Sequence, residues 1–151
     1  MGNKRLSNRG KSEEELRKLS MEMRYLEQTA EALQQRISMV NAALTDLTYA
    51  SMTLDGIEKE QENTELLVPI GGNSYVKAKI ADTNKIIIGV GAGVSIEKTL
   101  LEAKVTLKER LDELSSTMNS AQQQFAQVAE RINSGRSRLE TLLSSARQGK
   151  P

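Results

Sequence analysis

The chain has 151 residues and a formal net charge of +1, so its composition offers no large basic face for nucleic acid. It contains no Cys and no His, which excludes disulfides, thiol chemistry, Cys/His zinc sites and the usual imidazole base. With one Phe, three Tyr and no Trp it is short of the large side chains that fill a compact core. No apolar run approaches the ~20 residues of a membrane span. The start, MGNKRLSNRGK, lacks the apolar region of a secretory signal, and Leu6 stands where a myristoylation motif prefers Ser or Thr. These features predict a soluble, cytoplasmic protein with no cofactor, no nucleic-acid partner and no membrane partner.

Residues 1–11 read as a flexible basic tail carrying Lys4, Arg5, Arg9 and Lys11, either simply solvated or touching an acidic partner surface. Segment 12–62 reads as the first coiled-coil helix, its body running from about Glu13 to about Glu60. Ser12 with Glu15 forms a capping box, and Glu13–Glu15 suit the positive end of the helix dipole. Leu16, Met23, Ala30, Ile37 and Leu44 recur every seven residues. Leu19, Leu26, Leu33, Val40, Leu47 and Leu54 form a second row, three residues on. This is an a/d heptad seam, and the helix that carries it spans roughly 70 Å.

Residues 66–98 change character. Leu66–Ile70, Tyr75–Ile80, Lys85–Val90 and Val94–Ile96 are rich in β-branched residues. Turn residues separate them: Gly71 to Ser74, Asp82 to Asn84, and Gly91 to Gly93. Two β-hairpins are predicted, with Pro69 at an edge or a bulge. Hairpins this small cannot bury a core of their own, so their apolar faces need partners. The run Gly89–Gly93 has GxGxG rather than a phosphate-binding spacing, and no βαβ unit surrounds it. Its glycines read as turn and bulge positions. The carboxylates fall on solvent faces of helices and form no catalytic pair.

Segment 99–147 reads as the second coiled-coil helix, with Thr99 and Glu102 as its capping box and residues 148–151 as a tail. Its seam rows are Leu100, Leu107, Leu114, Ala121, Val128, Gly135 and Leu142, and Lys104, Leu111, Met118, Phe125, Ile132, Leu139 and Ala146. Glu15, Glu22 and Glu27 flank the first seam near the chain's start. Arg131, Arg136 and Arg138 flank the second near its end. An antiparallel fold sets acid against base, whereas a parallel homodimer sets like against like. Gly135 is expected to leave a hole in the seam, which either loosens that end or stands as a simple tolerated defect. At the same end lie Leu16, Leu19, Met21, Met23, Leu139, Leu142 and Leu143, with Leu6 in the tail. Most are seam residues whose simplest role is burial. Met21 and Leu143 flank the seam, and flexible Met and Leu surfaces suit promiscuous apolar binding.

Helix, two hairpins and helix, with LVPIGGNSYVKAKI and NKIIIGVGAGVSIEK at the centre, resembles the α class of archaeal prefoldins. The specific part is Leu67-Val68-Pro69-Ile70-Gly71, Val76-Lys77-Ala78, and Val90-Gly91-Ala92-Gly93-Val94 with Glu97-Lys98. The basic tail departs from the family's compact start. The resemblance implies a mainly α fold, a long antiparallel coiled-coil hairpin whose two helices are joined by two β-hairpins. It implies that these hairpins oligomerise into a β-barrel platform, in a hexamer of two α with four prefoldin β subunits. It implies an ATP-independent holdase, not an enzyme, that captures non-native polypeptides and delivers them to a group II chaperonin. Client contact is then expected at Leu6, Leu16, Leu19, Met21, Met23, Leu139, Leu142 and Leu143. Assembly is expected through Leu67, Val68, Pro69, Tyr75, Val76, Ala78, Ile80, Ile86, Ile88, Val90, Val94 and Ile96. The competing expectations are a filament-forming variant of the same class and a coiled-coil scaffold or adaptor for folded partners.

Overall fold

The computed structural model describes residues 2–148. The order is α1 (Gly2–Glu58), β1 (Glu65–Gly71), β2 (Ser74–Lys79), β3 (Ile86–Gly91), β4 (Val94–Lys98) and α2 (Leu100–Gln148). Of the expected tail over 148–151, only Gln148 falls among the described residues, as the last residue of α2. The contacts divide the chain into two compact units. One holds the described residues up to Val40 and from Thr117 onward; the other is Asn41–Ser116.

In the first unit the two helices pack antiparallel. Met23 and Leu26 of α1 are buried with Ile132 of α2, and Leu19, Ala30 and Val128 pack around them. These are the predicted a and d positions, and apolar burial along the seam is what holds the pair together. Gly135 does not leave the expected hole. Met23 lays its thioether over Gly135, in the space a Cβ there would need. An unbranched, polarizable side chain fills the gap that the glycine opens.

α1 begins at Gly2, ten residues before the expected start, so Ser12 and Glu15 sit inside the helix rather than capping it. No proline interrupts residues 2–11, and extending an existing helix adds one hydrogen bond per residue without a new nucleation step. Gly10, at about 1 kcal/mol relative to Ala, does not outweigh that. Residues 2–15 are all exposed, and the ion pair of Glu15 with Arg138 ties the end of this stretch to α2. At the other end α1 stops at Glu58, short of residue 62. Lys59 and Glu60 donate their backbone N–H groups to Gly56 and Ile57 at 3.2 and 3.0 Å, a tightened last turn.

In the second unit β1 pairs antiparallel with β2, and β3 with β4, as two separate two-stranded sheets. Both hairpins turn in the same way. Gly72 and Asn73 have φ of 56° and 57°, Ala92 and Gly93 of 51° and 74°, and the preceding glycines, Gly71 and Gly91, lie at 103° and 105°. Positive φ at both central residues is what a two-residue type I′ turn requires. Each hairpin also shifts register just before its turn, between Pro69 and Gly71 and between Gly89 and Gly91. This fits the edge or bulge setting expected for Pro69. β2 ends at Lys79 rather than Ile80. Ile80 instead exchanges backbone hydrogen bonds with the loop, donating to Thr64 at 3.1 Å and accepting from Asn63 at 2.7 Å.

The second hairpin is docked on the helices. Ile88 is buried with Leu54, Ala103 and Leu107, and Leu47, Ala50, Ile57, Ile86 and Leu100 close around them. Ala103 is fully buried. Lys104, which the heptad count sets in the seam, is held by Glu58 and, at 3.2 Å, by Asp55. Ala103, one position earlier, is the residue of α2 that is buried here, together with Ile88 of β3. Polar ties fix the same seat. Arg110 donates to the Gly89 carbonyl at 2.7 Å, and Lys98 to the Thr106 hydroxyl at 2.9 Å. Thr99 accepts the Glu102 N–H as expected of the cap, and Asn84 accepts the Leu100 N–H.

Candidate functional site

Among the described residues no group of His, Cys, Asp or Glu is arranged to hold a metal ion. Among the described residues no helix is long and apolar enough to cross a membrane. What the chain exposes is apolar surface, of two kinds.

The first is the strand surface of the second unit. Pairing sets Leu66 opposite Ala78 and Val68 opposite Val76, so one face of the first hairpin is wholly aliphatic. The other face carries Leu67, Pro69, Tyr75 and Lys77. Every residue of β1 is exposed, with Leu67 at 61%. In the second hairpin Ile87 is 75% exposed, and Val90, Val94 and Ile96 are also open. The expected assembly residues therefore divide. Leu67, Val68, Pro69, Tyr75, Val76, Val90, Val94 and Ile96 are exposed, Ala78 and Ile80 partly covered. Ile88 is buried, and Ile86 half-buried, against the chain's own helices. Ile96 lies opposite Ile88 on the same face and is still open, so position along the hairpin, and not alternation, separates the covered residues from the exposed ones.

The second surface lies in the first unit. Leu6, Met21 and Leu143 are exposed, whereas Leu16, Leu19, Leu139 and Leu142 are half-buried along the seam. Met23 is buried against Gly135 and Ile132, so it is a packing residue and not an open contact. Three ion pairs tie the helices beside these residues: Arg131 to Glu22 at 3.1 Å, Arg138 to Glu15 at 3.5 Å and Arg136 to Glu27 at 3.9 Å. They are the acid–base matches that the antiparallel reading anticipates. Sequence reasoning passed over Tyr25 and Met39, both exposed on α1, and Leu101 and Val105, exposed on α2. Their signal was being apolar at heptad positions off the seam.

The Prefoldin family model, described as Prefoldin subunit, matches residues 26–144. Prefoldin subunit alpha of Methanococcoides burtonii is 35% identical over 82% of this chain and 89% of its own length. Prefoldin subunit alpha of Pyrococcus horikoshii is 35% identical over 78% and 80%. Among solved structures, the cryo-EM structure of filamentous PFD from Methanocaldococcus jannaschii aligns with a TM-score of 0.64 at 23% identity. That alignment covers 74% of this chain and 93% of the other, and it supports the fold.

Proposed function

Because the chain belongs to the prefoldin family, among its archaeal α subunits, we propose that it assembles, two copies with four β subunits, into a cytoplasmic complex that holds non-native polypeptide without ATP. The complex passes that polypeptide to a group II chaperonin, and the chain itself catalyses no reaction. The observation that carries the reading is the strand surface. Leu66, Leu67, Val68, Tyr75, Val76, Ile87, Val94 and Ile96 are exposed on two hairpins that have no core of their own. Water contact with that much aliphatic surface is unfavourable by about 25 cal/mol per Å², and pairing strands between chains removes it while also satisfying open edges. Contacts at Leu6, Met21 and Leu143 are individually weak, and several arms acting together give useful affinity with easy release.

The test is the native mass of the complex purified from its source, with each chain identified, followed by suppression of client aggregation without nucleotide. Two of these chains with four smaller helical partners, active without ATP, supports the proposal. An open-ended series of masses marks the filament. A fixed complex with an unrelated folded protein marks a scaffold and overturns the proposal.

A further inference from the structure

Met21, Tyr25, Gln28, Ala32, Gln35 and Met39 follow one another along α1 at alternating steps of four and three, so they form one line on the helix. All six are exposed, Met21, Tyr25 and Met39 at 67%, 68% and 74%. The line lies on the face away from the Leu19–Met23–Leu26 seam and contains no charged residue. A solvent face of a two-helix coiled coil is ordinarily charged, and this one is not.

The edges of the line have a sign. Lys18 continues the line outward at a step of three, with Glu14 four residues beyond it, and Arg17, Arg24 and Arg36 run beside it, against Glu31. The nearby acids Glu22 and Glu27 are engaged with Arg131 and Arg136 across the seam. The chemistry within the line is also mixed in a useful way. Met and Tyr offer adaptable apolar contact. The amides of Gln28 and Gln35 both donate and accept, which suits the unpaired peptide groups of a chain that has no secondary structure. Three large side chains spread over roughly 27 Å fall well short of the ~800 Å² per partner that a lasting subunit contact needs. The surface fits a transient occupant.

We infer that the outer face of α1 from Met21 to Met39 is a linear docking track for segments of non-native polypeptide that are apolar with acidic flanks. This rests on the capture reading above and extends it from a patch at the helix ends to a directional line with a charge preference.

The test places a photo-crosslinking amino acid at Met21, at Met39 and, as a reference, at the exposed Glu109 of α2, each in the complex assembled with its β partner. The probe is reduced, carboxymethylated lactalbumin, which stays unfolded in buffer. Two competitor peptides share one apolar core and carry either acidic or basic flanks. The track predicts crosslinks to the probe from Met21 and Met39, both about fivefold above Glu109, with the acidic-flanked peptide competing about fivefold better. Crosslinking from Met21 with Met39 at the level of Glu109 overturns the track and leaves capture standing. Probe crosslinks at none of the three positions, in a complex that also fails to suppress aggregation, overturn capture itself. Equal competition by the two peptides, or crosslinks from Met39 to a neighbouring subunit without probe, also overturn the proposal.

Discussion

The thioether of Met23 on α1 occupies the place where any residue other than glycine at position 135 of α2 would carry its Cβ. The two positions are matched in size, one long and one absent. Met23→Ala therefore removes a buried side chain opposite a residue that has nothing to fill the gap, and should destabilise by about 3 kcal/mol. Gly135→Leu alone overpacks the seam and should lose about 2 kcal/mol. The double variant exchanges the sizes and should fall short of the sum by at least about 1 kcal/mol. Urea unfolding followed by circular dichroism, at one protein concentration, measures all three.

The antiparallel ion pairs predict a charge-exchange result. Glu22→Arg should lower stability by a few tenths of a kcal/mol, since both partners of the Arg131 pair are exposed. Arg131→Glu in the same chain should restore it. The effect should vanish in 0.5 M salt, about where screening shortens the Debye length below 5 Å. Melting temperatures at low and high salt provide the check.

Ala92 is a side-chain-bearing residue at φ 51° in the second turn, at the place where the first turn has glycine. Ala92→Asn creates the Asn-Gly pair that type I′ turns favour and should stabilise the second hairpin by about 1 kcal/mol. Asn73→Val at the other turn should destabilise by about 2 kcal/mol, because a β-branched residue resists positive φ. Amide exchange of each hairpin reads the two changes separately.

The two hairpins should fail in different ways. Ile88→Ala cuts a buried side chain out of the Leu54–Ala103–Leu107 cluster and should destabilise the chain by about 3 kcal/mol. Tyr75→Asp, on an exposed strand, should leave helix content unchanged and prevent assembly. Circular dichroism together with native mass distinguishes the outcomes.

Lys104 gives a signed pH dependence. Its hydrogen bond to Glu58 is the largest effect; desolvation, next in size, opposes it, and the hydrogen bond to Asp55 and the charges of both carboxylates add to it, so its pKa is raised above the ordinary 10.5. A raised folded-state value means the contribution is fully present below 10.5 and fades as pH climbs through the folded value. The difference in melting temperature between the native chain and Lys104→Gln should hold constant from about pH 7 to 9 and shrink only above 10.5.

Heptad spacing made the seam from Leu16 to Leu54 legible, and turn residues made both hairpins legible, because each signal is local and periodic. What the sequence hid depends on contacts between distant segments. Gly135 reads as a defect until Met23 is seen across from it. Ile88 reads as an assembly residue until Ala103 is seen against it, and Lys104 reads as a seam residue until Asp55 and Glu58 are seen to hold it. The helix over residues 2–11 was missed for a different reason: its basic, polar composition has no apolar period, and only continuity with the following helix supports it.

Under the assembly proposed above, the repeated turn geometry of Gly71–Asn73 and Gly91–Gly93 would make this chain, in the polymer chemist's sense, a bifunctional monomer. It would carry two joints alike in their turns and unlike in their seating, each a short strand pair with open edges. Where such edges link chains, a subunit with a single joint ends growth and one with two passes growth on. The size of the assembly is then a matter of stoichiometry, governed by how many single-jointed partners are supplied for each copy of this chain.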